Sequence, residues 1–72
     1  MERKEVISSS IKSVGYDPEA QVLEVEFRPK GRLYQYSNVP AKEYEALLKA
    51  ESKGRYFNRY LKDFYPTKRL DK

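Results

Sequence analysis

Lys53, Arg55, Arg59 and Lys62 are spaced so that a helix would gather positive charge on one side. At about 100° per residue, Arg55, Arg59 and Lys62 fall within about 60° of one another. Phe57, Tyr60, Leu61 and Phe64 stand at i, i+3, i+4 and i+7 and fall on the opposite side. If the aromatic side packs inward, the three cations point outward together. They form a stripe that Lys53 extends before the helix and Lys68 and Arg69 extend after it. Such a stripe suits a nucleic-acid backbone, because each phosphate offers a charge for Lys or Arg to neutralise. A solvated helix face produces the same pattern.

A second constellation is aromatic. Tyr34 and Tyr36 lie one residue apart in Leu33-Tyr34-Gln35-Tyr36-Ser37 and share a face of any strand they form. Facing outward, they would stack bases as aromatics do on RNA-binding sheets; facing inward, they wall the core. The hairpin register decides between these, since a slip of one residue exchanges the faces. Placing Phe27 opposite Tyr34 and Val25 opposite Tyr36 turns both tyrosines inward. Leu33 and Gln35 would make a poorer core pair, which favours that register.

Catalytic chemistry has less to work with. Glu24 and Glu26 are paired carboxylates on one strand face, yet nothing near them in sequence promises the burial that raises a general acid's pKa. With no His or Cys, Ser8, Ser9, Ser10 and Ser13 lack the usual activating base, and the common metal and haem ligands are missing. No catalytic residue, metal or cofactor is expected. Gly54, after Ser52 and Lys53, could present backbone N–H groups to a phosphate, but it also reads as a break between two helices.

The elements that position these residues follow from periodicity. A first strand is expected from about Val6 or Ser10 to Tyr16, ended by a turn at Asp17-Pro18. In Gln21 to Phe27, Leu23, Val25 and Phe27 alternate with the two glutamates, predicting one core face and one wet face. Arg28 to Arg32 carries turn chemistry, with Gly31 free to take a positive φ, and Leu33 to Ser37 returns as a third strand. Pro40 opens a helix that places Ala41, Tyr44, Leu47 and Leu48 on one side. Ser52-Lys53-Gly54 breaks it, and a second helix runs from about Arg55 to Phe64 or Tyr65, where Pro66 stops it. The fold class is therefore α+β, a three-stranded antiparallel meander followed by two helices packed on one sheet face. The whole chain, 1–72, reads as a single domain with its core at about 8–65 and loose tails at 1–7 and 66–72.

Fifteen Lys/Arg against eleven Asp/Glu give a net charge of +4. Residues 1–48 hold seven basic and eight acidic side chains, net −1, and residues 49–72 hold eight and three, net +5. The basic excess thus belongs to the C-terminal third and favours an anionic partner. No apolar run reaches the roughly 18 residues a membrane span requires. The absence of Cys fits a reducing compartment, and a cytoplasmic location is expected.

Taken in order, Ser9-Ser10-Ile11, Val14-Gly15-Tyr16-Asp17, Leu23-Glu24-Val25-Glu26-Phe27, Gly31, Tyr34-Gln35-Tyr36, Val39-Pro40, Ala50, Ser52, Gly54 and Tyr56-Phe57-Asn58 resemble the KTSC domain. That family is found at the C-terminus of some lysyl-tRNA synthetases and as short single-domain bacterial and phage proteins. The resemblance covers about residues 8–65. It implies no catalytic residue, marks Tyr34, Tyr36, Gly54 and Asn58 as motif positions of stacking or structural use, and points toward RNA. The expected function is a non-enzymatic, RNA-binding module using Lys53, Arg55, Arg59, Lys62, Lys68 and Arg69. The alternative is a protein-interaction module that docks a partner on the sheet or its edge.

Overall fold

The structure, a computed structural model, describes residues 3–70. Alternating side chains build the central strands: β2 (Ile11–Asp17), β3 (Val22–Phe27) and β4 (Arg32–Tyr36), each antiparallel to the next. Asp17 shapes the first turn, its carboxylate accepting from the Glu19 and Ala20 N–H groups at 3.0 and 3.3 Å. Gly31 takes φ 67° in the second turn, as its lack of a Cβ allows. A bulge between Ile11 and Ser13 inserts one extra residue into β2, so that Ile11 and Val14 both face the helices.

The expected meander of three strands is corrected to a five-stranded antiparallel sheet in the order β1-β2-β3-β4-β5. β1 (Arg3–Glu5) pairs with β2, and β5 (Thr67–Arg69) pairs with β4. Both lie in segments expected to be loose tails, and both are exposed. Arg-Lys-Glu and Thr-Lys-Arg have no apolar alternation to announce a strand; the pairing is made by backbone groups that sequence periodicity does not report. The expectation of loose tails at residues 1, 2, 71 and 72 lies outside the described residues.

Between β4 and β5 come α1 (Ala41–Lys49) and α2 (Lys53–Tyr60), packed on one face of the sheet. The Ser52 hydroxyl caps α2 by accepting from the Arg55 N–H at 3.4 Å. Lys53 and Gly54, expected in the break, therefore belong to the helix. Its end is also corrected: α2 stops at Tyr60 rather than near Phe64 or Tyr65. The N–H groups of Leu61 and Lys62 both donate to the Phe57 carbonyl at 2.9 Å, closing the last turn. The chain then reverses so that Ser37 N–H can donate to the Pro66 carbonyl at 3.0 Å and β5 can join the sheet. Sheet pairing outweighs the apolar spacing that would have carried the helix further. As a result Phe64 is 67 % exposed; Tyr60, at the last position of α2, is 47 % exposed, although both were expected to face the core.

The core lies between helices and sheet. Ile11, Val14, Leu23 and Val25 come from the strands and meet Leu47, Phe57 and Leu61 from the helical layer, all of them buried. Tyr16 stacks on Tyr44 of α1, with ring centroids 5.0 Å apart and planes at 13°, and its hydroxyl donates to the Val39 carbonyl. Phe57 meets Tyr36 and Phe27 edge-on at 5.2 and 5.1 Å. The N-terminal end of α2 is pressed against the segment before β2. A Cβ added at Gly54 would stand 2.3 Å from the Ser10 hydroxyl oxygen.

Three outcomes follow from this packing. Tyr36 is 4 % exposed, so Tyr36→Ala should cost about 3 kcal/mol or more in urea unfolding; an unchanged midpoint and slope would place the ring outside the core. Burial pushes the Tyr36 phenol from 10.0 to about 12, with Tyr34 and Asp63 adding to the shift. The folded state then holds this proton where the unfolded chain has released it, so stability should fall as pH rises from 10.0 toward about 12. The loss is at most about 2–3 kcal/mol, and it should be read as a shrinking stability difference between the wild type and Tyr36→Phe. A difference constant across that range would contradict it. Finally, in a Ser10→Ala background, Gly54→Ala should stabilise by up to about 1 kcal/mol, because alanine favours the helix once the hydroxyl is gone. In the presence of Ser10 the gain should shrink or reverse, as thermal melts of the four variants would show.

Candidate nucleic-acid interface

The two tyrosines lie on the helix-facing side of the sheet, as the favoured parity required. The register differs from the expected one by two residues: Tyr34 opposes Val25 and Tyr36 opposes Leu23. Because the offset is even, both rings keep the inward face. Their environments then diverge. Tyr36 sits deep against Phe57, whereas Tyr34 is only half-buried and meets Phe27 edge-on at 5.7 Å. Tyr34 and Tyr36 are 6.5 Å apart, so the motif forms a graded wall running from core to surface.

The glutamates occupy the other side of the sheet. The expected wet face is corrected at Glu24, which is 8 % exposed. The Arg3 guanidinium donates to Glu24 through Nη1 and to Ser13 Oγ through Nε at 3.2 Å. Ser13 Oγ donates to Glu26 Oε1 at 2.9 Å, and Gln35 Nε2 reaches Glu24 Oε2 at 3.4 Å. Arg3 opposes Gly15, and Gly15 opposes Glu24. Arg3 thus reaches over β2 at a position with no side chain in the way. Both carboxylates thus have hydrogen-bond partners, on the face away from the tyrosines.

The structure divides the anticipated basic stripe. Arg55 and Arg59 are exposed on one side of α2, beside Tyr56 and Tyr60, whose rings are 4.7 Å apart. The Arg59 guanidinium lies 5.6 Å from the Tyr60 ring centroid. Tyr56 in turn tethers α2 to α1 through its hydroxyl, 3.3 Å from Glu43 Oε1; burial, then the Glu43 charge, raises its pKa. Lys53 bends back to donate to the Ala50 carbonyl at 3.1 Å. Lys62, beyond the helix end, lines a different depression with Phe27, Tyr34, Tyr36, Phe57 and Asn58. Lys68 opposes Gln35 and Arg69 opposes Tyr34, so these neighbours point to opposite faces of the sheet and cannot extend one stripe.

Sequence reasoning passed over the cations of the β3–β4 turn. Arg28, Lys30 and Arg32 line a depression together with Phe27, Pro29 and Tyr34. Their signal was present as basic residues at i, i+2 and i+4 between the two aromatics, but it was absorbed into the reading of a turn. For the Arg3–Glu24 pair no comparable signal exists, because the partners are joined only by the pairing of β1. Among the described residues no helix is long and apolar enough to cross a membrane.

A protein of Stutzerimonas stutzeri of uncharacterized role is 53 % identical over 62 residues, covering 86 % of each chain. A lysine–tRNA ligase from Nostoc sp. is 39 % identical over 62 residues, which span 86 % of this chain and 11 % of the ligase. The crystal structure of a KTSC domain protein from Yersinia pestis superposes with a TM-score of 0.91 at 39 % identity, covering 96 % of both chains. The model of the KTSC domain family matches residues 7–65, and the chain belongs to that family.

Proposed function

We propose that this chain is a non-enzymatic RNA-binding module of the cytoplasm, holding phosphates on the exposed side of α2. The observation that carries the reading is the segregation of charge by packing. Phe57 and Leu61 are buried, which turns Arg55 and Arg59 to solvent together, while Glu24 and Glu26 are held on the far side of the sheet. An approaching phosphate meets guanidinium groups beside two aromatic rings, with Glu51 lining the same depression and Glu24 and Glu26 turned away. The ligases that share this sequence act on tRNA by name, which supports RNA as the nucleic acid. The hydrogen bonds of Glu24 and Glu26 support a structural use for both carboxylates.

Protein docking at a sheet edge has less to favour it. Both edges are three-residue exposed strands rich in charge, Arg-Lys-Glu and Thr-Lys-Arg, a composition that discourages strand addition.

Binding of a mixed single-stranded RNA pool should weaken with salt, with a log–log slope of about −2 or steeper if three or more phosphates are met. Arg55→Ser combined with Arg59→Ser should lower the affinity and flatten that slope by roughly 1.4. Filter binding across a salt series reads both effects, and undetectable or salt-independent binding overturns the proposal.

A further inference from the structure

A second surface, on the side of the sheet that carries the tyrosines, has the composition of a base-stacking site. Phe27 and Tyr34 line two adjoining depressions, of about 300 and 410 Å³, and form the wall common to both. Arg28, Lys30 and Arg32 surround the first; Lys62 stands at the far end of the second. Arg69 opposes Tyr34 and shares its face of the sheet. Arg28, Lys30 and Arg32 are exposed, and among the described residues none of them is ion-paired with a carboxylate. Asp63 is the acidic residue that lines the trough. The combination is thus an aromatic floor, partly covered, with a cationic rim.

We infer that this trough binds single-stranded RNA, with a base against Tyr34 and Phe27 and the flanking phosphates on Arg28, Lys30 and Arg32. The inference rests on the proposed RNA-binding role and adds to it a second, base-contacting site on the face of the sheet opposite Glu24 and Glu26. A single strand fits because its unstacked bases can enter a depression of this size, whereas a duplex keeps its bases stacked and presents only backbone. The β3–β4 turn gathers Arg28, Lys30 and Arg32 around one depression, where they can meet successive phosphates. Tyr34, being half-buried, offers ring surface while Phe27 braces it edge-on; the fully packed Tyr36 does not. The Tyr-x-Tyr motif therefore divides its work, with Tyr36 holding the fold and Tyr34 meeting the ligand.

The test uses the full chain and a fluorescent oligouridylate, titrated across a salt series. Removing the rim charges with Arg28→Ser, Lys30→Ser and Arg32→Ser touches exposed side chains and should weaken binding and flatten the log–log salt slope by about 2. Tyr34→Leu should weaken binding at least about fivefold, the low end for losing one stacked base, with little change in slope, and Tyr34→Phe should restore it. Circular dichroism of each variant confirms its fold, and the rim variant decides the matter should Tyr34→Leu unfold. If the rim and Tyr34 variants bind like the wild type while Arg55→Ser with Arg59→Ser loses binding, the trough is overturned and the α2 proposal stands. If the wild type binds the mixed RNA pool but no oligouridylate, the trough is overturned and the α2 proposal stands; if it binds neither, both are overturned. Equal competition by duplex RNA, or by an acidic peptide of matched charge, also overturns the trough as a base site.

Discussion

The edge-to-face contacts of Phe57 with Phe27 and Tyr36 hold the helical layer on the sheet, and the rest of the surface is arranged by them. Each such pair contributes roughly 0.5–1.5 kcal/mol beyond the area it buries. In a chain without disulfides, whose total stability is only about 5–15 kcal/mol, that is a large share. Once Phe57 points inward, the helix has no rotational freedom left. Gly54 must meet Ser10, Arg55 and Arg59 must face water, and Asn58 must lie toward the tyrosine side. The spacing of a few aromatics thereby determines where the charge appears.

What could be read from the sequence was what repeats along it. Leu23, Val25 and Phe27 gave the core face of β3, Asp17 and Gly31 gave the turns, and the spacing of Tyr34 and Tyr36 gave a shared face, inward in the favoured of two registers. The two edge strands were illegible because their residues are chosen by solvent, and only a partner strand makes them strands. The helix end was misplaced for a related reason. Leu61 and Phe64 continue the apolar spacing, but the chain after Tyr60 answers to the backbone pairing of β5. Of the candidate site, the types of residue were legible and their grouping was not. Lys62 changes sides with that early helix end, and Lys68 and Arg69 part because they belong to a strand rather than a tail.

The two faces of the sheet also differ in how they treat polar groups. On the helix side, aromatic rings are stacked and partly open. On the other, Arg3, Ser13, Glu24, Glu26 and Gln35 satisfy one another in a row that runs across four strands. A carboxylate as buried as Glu24 requires such partners, since desolvation without them would cost several kcal/mol. Gly15 belongs to this arrangement: its place between Arg3 and Glu24 is where a side chain would compete with the guanidinium.

Strand order in the sheet equals strand order in the chain, yet the pairings are not equally easy to form. β1 reaches β2 across residues 6–10, while β5 reaches β4 only after residues 37–66, which hold both helices. Closing the longer loop costs roughly 2 kcal/mol more in chain entropy than closing a short turn. β5 recovers little of that by burial, because Thr67, Lys68 and Arg69 are all exposed. Docking of the helices removes most of that cost: with α2 packed through Phe57, only residues 61–66 remain to be spanned before β5 meets β4, so the strand that flanks Tyr34 takes its place once the helical layer is on the sheet.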